Sequence, residues 1–200
     1  MPKGFIFDLD GTLADTMPAH YRAWTIVGAR HGFSFPEERF YSLGGVPTAK
    51  IAAMLLTTAG LDLDPVAVAK EKEGVYVASL ADGANVHPVA PVLEIARRHR
   101  AEGPLAVASG SLRHLVERTL AQLGIIDWFA AIVAAEDTSR HKPEPDVFLE
   151  AARRIGIAPA DCTVYEDTDI GLEAARRAGM RGVDVRPLYL PRVTLVTAGS

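Results

Sequence analysis

The sequence predicts an α/β protein with a parallel sheet that is covered by helices on both faces. Five short apolar runs have the length of buried strands and end at polar or small residues. Helix-period segments separate the later runs, and each of these helices ends just before a glycine, a common residue after a helix C-terminus. Strands that alternate with helices in this way form β-α-β units, in which the strands are parallel.

The predicted strands lie near the start of the chain and in its second half. They cover residues 5–7, 105–108, 131–135, 163–165 and 182–185. The helices predicted between the later strands cover residues 112–123, 147–155 and 170–178. Gly124, Gly156 and Gly179 follow these helices directly. The apolar, proline-containing tail at residues 187–200 is compatible with a last strand or with a loosely packed end.

Residues 15–84 interrupt this alternation. They contain helical patterns at residues 20–31, 48–59 and 65–80, with no convincing strand among them. We therefore predict a helical cap domain over residues 15–84, inserted into a core domain formed by residues 1–14 and 85–200. The hinges would lie at residues 13–18 and 84–91. Two connections between a core and an insertion form a lid that can close over a site and exclude water.

The composition is typical of a soluble globular protein, with 48% hydrophobic and 23% charged residues in a chain of 200. A net charge of −4 provides no general attraction to nucleic acid or to anionic membranes, so we expect neither as a partner. The basic run at residues 97–100 ends an apolar-periodic stretch and fits a helix C-terminus. Nothing in the composition specifies an oligomer, and a monomer is compatible with it.

The compartment is predicted from the single cysteine and the apolar runs. Cys162 has no partner for an intrachain disulfide, which is typical of a reducing environment. Asp8 interrupts the first apolar run, so we expect no signal peptide, and no run approaches the length of a membrane span. These observations predict a cytoplasmic protein.

The most informative motif is Gly-Phe-Ile-Phe-Asp-Leu-Asp-Gly-Thr-Leu at residues 4–13. It places Asp8 and Asp10 where the first strand ends, and open α/β sheets bind their ligands at this end of their strands. Both aspartates could be ordinary turn formers. However, an aspartate directly after three apolar residues risks burial without a partner, which favours a chemical role.

Three further motifs follow strand ends. Ser109 and Gly110 end the second strand where a helix begins, and a helix N-terminus suits an anion such as phosphate. Lys142 lies in a loop between a strand and a helix that two prolines restrict. Glu166 and Asp167 end the fourth strand. Taken singly, Ser109 is as well explained as a helix cap and Lys142 as a solvated lysine.

Together the motifs form a coherent site. They bring together the carboxylates of Asp8, Asp10, Glu166 and Asp167. Like charges at about 4 Å repel by roughly 4 kcal/mol at an effective dielectric of 20, so this cluster requires a cation. Oxygen ligands suit Mg²⁺, which binds a few carboxylates, waters and a substrate phosphate. Lys142 and Ser109 would then donate to the remaining phosphate oxygens.

With these motifs in this order, the chain resembles the haloacid dehalogenase-like (HAD) hydrolase superfamily over essentially its whole length. It is most similar to the β-phosphoglucomutase-like sugar phosphatases and mutases, which carry a small helical cap. The resemblance implies a Rossmann-like sheet of order 5-4-1-2-3, with the first motif on the central strand. It also implies a small phosphorylated metabolite as the binding partner and Mg²⁺ as the cofactor.

The resemblance implies a role for each motif residue. Asp8 would be the nucleophile that forms an aspartyl-phosphate, and Asp10 the general acid–base. The Asp8 carboxylate, the Asp10 backbone carbonyl and Asp167 would hold Mg²⁺, with Glu166 contributing directly or through water. The phosphoryl group would be bound by Ser109, Gly110 and Lys142. Family members that dehalogenate lack a carboxylate at the position of Asp10, so its presence predicts phosphoryl transfer.

The cap residues bear on the choice between phosphatase and mutase. In the mutase branch a basic residue of the cap loop binds a second phosphate, and the matching residue here is Thr48, three positions after Gly45. Lys72 matches another basic position but fits a salt-bridged helix surface equally well. His20 resembles a residue near the site and could equally be structural. The neutral Thr48 favours a phosphatase of a small phosphosugar such as a hexose 1-phosphate.

Two alternatives remain. One is a hexose phosphate mutase of the β-phosphoglucomutase type. The other is a non-catalytic phospho-acceptor module, since receiver-like domains also gather acids and a lysine at strand ends. The second acid at Asp10 and the helical cap argue against the acceptor module, because a switch needs neither a general acid nor a lid.

Overall fold

A computed structural model of the protein describes residues 3–81 and 86–188. The elements of the first part are β1 (Gly4–Phe7), β2 (Ala14–Asp15), α1 (Met17–His31), α2 (Glu37–Ser42), α3 (Thr48–Ala59) and α4 (Pro65–Ala81). Those of the second part are β3 (His87–Pro88), α5 (Ala90–His99), β4 (Leu105–Ala108), α6 (Arg113–Gln122), β5 (Ala131–Val133), α7 (Asp146–Ile155), β6 (Cys162–Glu166), α8 (Asp169–Arg177) and β7 (Arg181–Asp184). Short 3-10 segments cover Ile126–Trp128, Ala135–Asp137, Pro159–Asp161 and Arg186–Leu188.

The main sheet has five parallel strands in the order β5-β4-β1-β6-β7. Counted in chain order without the two-residue strands, this is 3-2-1-4-5, which is the implied order 5-4-1-2-3 read from the other edge. The α/β class, the parallel sheet and the helical insertion are therefore confirmed. The central strand β1 pairs with β4 and β6, so that Phe5 lies between Leu105 and Thr163.

Hydrophobic side chains cover both faces of this sheet. On one face Phe5, Phe7 and Val107 pack in a cluster with side chains of α5 and α6. On the other face Ile6 and Ala106 pack in a cluster with side chains of α7 and α8. Successive residues of a strand point to opposite faces, and a parallel sheet is normally covered on both. This explains why the strands are continuous apolar runs.

The helices α1 to α4 have a hydrophobic cluster of their own, which includes Trp24, Phe40, Ile51 and Leu55. A smaller cluster joins α1 and α4 to α6. This arrangement supports the predicted division into core and cap. The exact boundaries stay a prediction, because residues 82–85 lie outside the described part of the chain. Residues 189–200 of the tail also lie outside it.

The two connections between the sheet and the helical insertion differ from the prediction. The sequence predicts no strand after residue 14 in this region, whereas the structure pairs β2 with β3 as an antiparallel ribbon, Ala14 opposite Pro88 and Asp15 opposite His87. The ribbon aligns both connections side by side. Two-residue strands carry no periodic pattern, which is why the sequence did not predict them.

The helix bounds agree with the sequence to within a few residues. The first helix of the insertion begins at Met17, three residues before its predicted start, because Pro18 is favourable in a first helical turn. The six-residue helix α2 was not predicted, since it is too short to show a period. Gly156 has a φ of 70° directly after α7, as expected for a helix C-terminus. Within the described residues no helix has the length and apolar character needed to cross a membrane.

Candidate active site

Asp8 follows the central strand and forms a buried ion pair. Its backbone N–H donates to the carbonyl of Tyr165 (3.0 Å), which continues the pairing of β1 with β6. The Lys142 ammonium donates to Asp8 Oδ1 (2.6 Å) and to Glu166 Oε1 (3.2 Å). All three side chains are at most 9% exposed. The strand end, the loop after β5 and the end of β6 thus meet in one charged cluster, as the sequence predicts.

The carboxylates of Asp8, Glu166 and Asp167 offer oxygens that all lie within 4.8 Å of one another. Burial raises the pKa of Asp167 to about 8, with the Glu166 carboxylate adding to the effect. Burial also raises the pKa of Asp8 well above its ordinary value, against the opposing effect of Lys142. Two buried carboxylates and the half-buried one of Asp167 thus face one ammonium, an excess of negative charge that is unfavourable away from water. The donor set fits a divalent cation that prefers oxygen ligands.

Hydroxyl groups and two glycines fix these carboxylates. Thr12 Oγ1 donates to Asp167 Oδ1 (2.9 Å), and Thr168 Oγ1 donates to Glu166 Oε1 (2.7 Å). A Cβ at Gly11, whose φ is +88°, would lie 2.1 Å from Asp167 Oδ2. A Cβ at Gly171 would lie 1.6 Å from Glu166 Oε1, so α8 packs directly against this carboxylate. The positions of the carboxylates therefore depend on both glycines.

Asp10 has a separate environment. Oδ1 accepts a hydrogen bond from Thr16 Oγ1 (2.6 Å) and lies 3.4 Å from His20 Nε2. Oδ2 accepts one from Ser111 Oγ (2.6 Å). Burial alone would raise the pKa of Asp10, but the interactions with His20, Ser111 and Thr16 outweigh burial and hold it below its ordinary value. The two aspartates of the motif thus differ in protonation behaviour, as expected for a nucleophile and an acid–base group.

Lys72 and His20 connect the insertion to Asp10. Lys72 Nζ lies 2.6 Å from His20 Nδ1, and Lys72 is only 3% exposed. The interpretation of Lys72 as part of a salt-bridged surface is therefore wrong. Since an ammonium only donates, Nδ1 accepts and Nε2–H faces Asp10. Burial lowers the pKa of Lys72 to about 8, and burial and Lys72 lower that of His20.

A cavity of about 80 Å³ opens between the strand ends and the insertion. Asp8, Asp10, Ser109, Gly110 and Glu166 line it from the core side. His20, Gly45, Thr48 and Lys72 line it from the cap side. The wall of this pocket thus contains every predicted site residue except Lys142 and Asp167. Lys142 donates to the wall residue Asp8, and Asp167 belongs to the carboxylate cluster with Asp8 and Glu166. Trp24, Phe40 and Ile51 provide an apolar part of the wall.

The cap loop closes this pocket by direct contact with the core. A Cβ at Gly44 would lie 3.0 Å from Thr168 Cγ2, and one at Gly45, whose φ is +81°, would lie 3.1 Å from Ile170 Cδ1. On the core side, a Cβ at Gly110 would lie 3.6 Å from the carbonyl of Gly45. The loop that leads to Thr48, the first residue of α3, therefore lies directly over the strand ends.

The sequence did not identify the hydroxyl groups that support the site. Thr12 and Thr16 follow the first motif closely but have no pattern that separates them from other threonines. From the sequence, Ser111 is explained equally well as a helix cap, but α6 begins two residues later, and the Ser111 hydroxyl donates to Asp10 instead. Thr168 is a helix cap and a carboxylate donor at once. Ser109 Oγ accepts from the backbone N–H of Ser111 (3.0 Å).

Comparison with known proteins agrees with this geometry. Residues 2–179 match the haloacid dehalogenase-like hydrolase family. The chain is 42% identical to the fructose-1-phosphate phosphatase YqaB of Escherichia coli K12 over 185 residues, which are 92% of this chain and 97% of that protein. It is 36% identical to hexitol phosphatase A of the same organism over 82% of this chain and 74% of that protein. The crystal structure of β-phosphoglucomutase from Clostridium difficile has a TM-score of 0.82 at 26% identity, covering 92% of this chain and 84% of that one. The chain belongs to the haloacid dehalogenase-like hydrolases, in the branch of sugar phosphatases and β-phosphoglucomutase-like proteins.

Proposed function

We propose that the protein is a Mg²⁺-dependent phosphatase of small phosphosugars, with hexose 1-phosphates as its substrate class. One observation carries the proposal: Asp8 and Asp10 line the same pocket but have different partners. Asp8 is paired with Lys142 in the carboxylate cluster, whereas Asp10 accepts hydrogen bonds from Ser111 of the core and from Thr16 at the start of the cap. The identity of 42% with a fructose-1-phosphate phosphatase makes fructose 1-phosphate the first candidate substrate.

Asp8 would attack phosphorus and form an aspartyl-phosphate as the bond to the sugar oxygen breaks. Lys142 and Ser109 would donate to the phosphoryl oxygens, with the backbone N–H of Gly110 beside them. Such groups stabilise the charge of an in-line transfer. Lys142 is already held by Asp8 and Glu166, so its ammonium needs little reorganisation to reach a phosphoryl group on Asp8.

Asp10 would protonate the leaving sugar oxygen and then remove a proton from the water that releases phosphate. With three donors around it, the Asp10 carboxylate is held in its basic form, which suits the second step. In the first step Asp10 must carry a proton, which the hydrogen bonds donated to its oxygens make less favourable. The hydroxyls of Thr16 and Ser111 can turn away by rotation alone, which would ease this protonation.

Mg²⁺ would be held by the Asp8 carboxylate, Asp167 and the backbone carbonyl of Asp10, with Glu166 directly or through water. When bound, Mg²⁺ supplies positive charge that offsets the carboxylates and the transferred phosphoryl group. Glu166 orients this set, because it contacts Lys142, Thr168 and the backbone N–H of Asp167.

A mutase of the β-phosphoglucomutase type is the second candidate, since the chain is 28% identical to β-phosphoglucomutase of Bacillus subtilis. A mutase must hold a bisphosphate, which requires positive charge on the cap side. Of the cap-side lining residues, Lys72 is a cation but its ammonium is bonded to His20, while Thr48 is neutral and lies next to the apolar Ile51. This wall favours hydrolysis over retention of a second phosphate.

The test is phosphate release from fructose 1-phosphate, both anomers of glucose 1-phosphate and glucose 6-phosphate, with and without Mg²⁺. Asp8→Asn is the control. Release that depends on Mg²⁺ and vanishes in Asp8→Asn supports the proposal. Isomerised glucose phosphate without release would support the mutase. Phosphate retained on Asp8 from a small donor, with neither activity, would support the phospho-acceptor module.

A further inference from the structure

The ring of Tyr76, on α4, lies flat against the imidazole of His20. The ring centroids are 3.8 Å apart, the planes differ by 15°, and Tyr76 is 1% exposed. The same ring lies 5.3 Å from the ammonium of Lys72. His20 therefore has Asp10 at one nitrogen, Lys72 at the other, and Tyr76 along one face. An imidazole held in this way has little freedom to rotate.

The hydroxyl of Tyr76 lies near the second donor to Asp10. It is buried beside the hydroxyls of Thr16 and Thr119, and forms no hydrogen bond of standard geometry with the residues that the structure describes. Thr16 donates its proton to Asp10 Oδ1 (2.6 Å), so its oxygen keeps lone pairs for a donor. Because no such bond is formed, the contact between Tyr76 and the groups around Asp10 is the stacking of its ring on His20.

We propose that Tyr76 is a positioning residue for Asp10, whose stacked ring orients His20 so that Nε2–H faces Asp10 Oδ1. Tyr76 does not line the pocket and forms no hydrogen bond to Asp10. Its effect therefore passes through His20. The expected effect of Tyr76 on turnover rests on the proposed phosphatase function, because the proposal links Tyr76 to the proton transfers of that reaction.

A purely structural role is the alternative. Tyr76 packs with Ala23 and Leu115 in the cluster that joins α1 and α4 to α6. Packing alone requires an apolar side chain of similar size and does not require a flat ring parallel to that of His20. The two roles predict different effects for variants that keep or remove the ring.

The kinetic test compares Tyr76→Phe, which keeps the ring, with Tyr76→Leu, which removes it. Leu55→Ala is the matched control, because Leu55 is buried in the cluster of α1 to α4 and does not line the pocket. We expect kcat to fall about 10-fold in Tyr76→Leu and less in Tyr76→Phe, with KM nearly constant, since general acid–base catalysis contributes about 10²–10⁴-fold in total. A loss equal to that of Leu55→Ala, or a change in KM alone, would overturn the proposal.

A second test uses NMR of ¹⁵N-histidine-labelled protein without substrate, with His20→Asn to assign the signals. We expect a single Nε2–H tautomer of His20 in the wild type and averaged tautomers with faster proton exchange in Tyr76→Leu. An unchanged tautomer and exchange rate in Tyr76→Leu would show that Tyr76 does not hold His20. This measurement needs no turnover, so it remains decisive if the wild-type protein releases no phosphate and the proposed function fails.

Discussion

Gly171 in α8 and Gly74 in α4 are helical glycines with opposite surroundings. A Cβ at Gly171 would lie 1.6 Å from Glu166 Oε1 and 2.2 Å from its Cδ, whereas a Cβ at Gly74 would meet no atom within 4 Å. Neither glycine has a positive φ, so alanine introduces no backbone strain. The same substitution therefore tests the carboxylate cluster at Gly171 and the helix alone at Gly74.

The magnitude follows from the contacts of Glu166. Its oxygen must move by at least 1.4 Å to bring the 1.6 Å contact of a Gly171→Ala variant to 3.0 Å. Such a shift breaks the two hydrogen bonds that this oxygen accepts, from Lys142 (3.2 Å) and from Thr168 (2.7 Å). Bonds to a charged group contribute about 1.5–3 kcal/mol each, and losing two of them outweighs the gain of about 1 kcal/mol from alanine. We expect a net loss of about 2–5 kcal/mol.

Thermal unfolding and Mg²⁺ titration of phosphate release measure the two effects. For a chain of this size each kcal/mol shifts Tm by about 2–4 °C, so Gly171→Ala should lower Tm by roughly 4–20 °C and Gly74→Ala should raise it by about 2–4 °C. Gly171→Ala should also need about 10–100-fold more Mg²⁺ for half-maximal activity, as for loss of an outer metal-site group. A Gly171→Ala variant with wild-type stability and Mg²⁺ requirement would refute the assigned role of Glu166.

Four further outcomes are expected. Lys142→Met removes the ammonium bonded to Asp8 and should destabilise the fold by about 3–5 kcal/mol in thermal unfolding, whereas the exposed Lys70→Met should change stability by less than about 0.5 kcal/mol. Asp8→Asn should abolish phosphate release. It should also raise the Tm of the metal-free protein at pH 7–8, because burial raises the pKa of Asp8 well above its ordinary value and makes its charged form unfavourable. A lower Tm of the variant would contradict this expectation. In pH profiles, kcat/KM should fall as pH rises through about 8, where the Lys72 ammonium with its pKa of about 8 loses its charge, and Lys72→Met should lack this limb. Thr48→Arg should lower the inhibition constant of glucose 1,6-bisphosphate, because it adds a cation to the cap side of the pocket. An unchanged inhibition constant would show that residue 48 does not face the second phosphate of the bisphosphate.

Much of this site was predictable from the sequence because its parts lie at the ends of apolar runs. The runs before Asp8, Ser109 and Glu166 mark strand ends, and parallel strands bring their ends to one edge of the sheet. The order of the strands was not derivable from the runs, since periodicity does not specify which strands pair. It came from the resemblance to a family, and the structure has the same order.

The rest depends on side chains that meet only in the folded chain. Lys72 is 52 residues from His20, and its pattern on α4 fits a charged surface as well as a buried contact. Ser111 and Thr16 approach Asp10 from different elements, and a hydroxyl near a motif is too common to predict a role. The sequence predicts where strands end, but it does not predict which polar side chains from other elements reach those ends.

Asp10 lies where core and cap meet, and this position bears on why the cap matters for chemistry. Ser111 belongs to the core, whereas His20 lies on α1 and Thr16 directly before it, at the entry to the insertion. A movement of α1 by a few ångströms would break the contact between His20 and Asp10, already 3.4 Å long, while the bond from Ser111 would remain. Opening the cap would thus admit water and at the same time change the donors around Asp10. In the proposed mechanism, closure would therefore do more than exclude water, because it would complete the environment in which Asp10 exchanges protons.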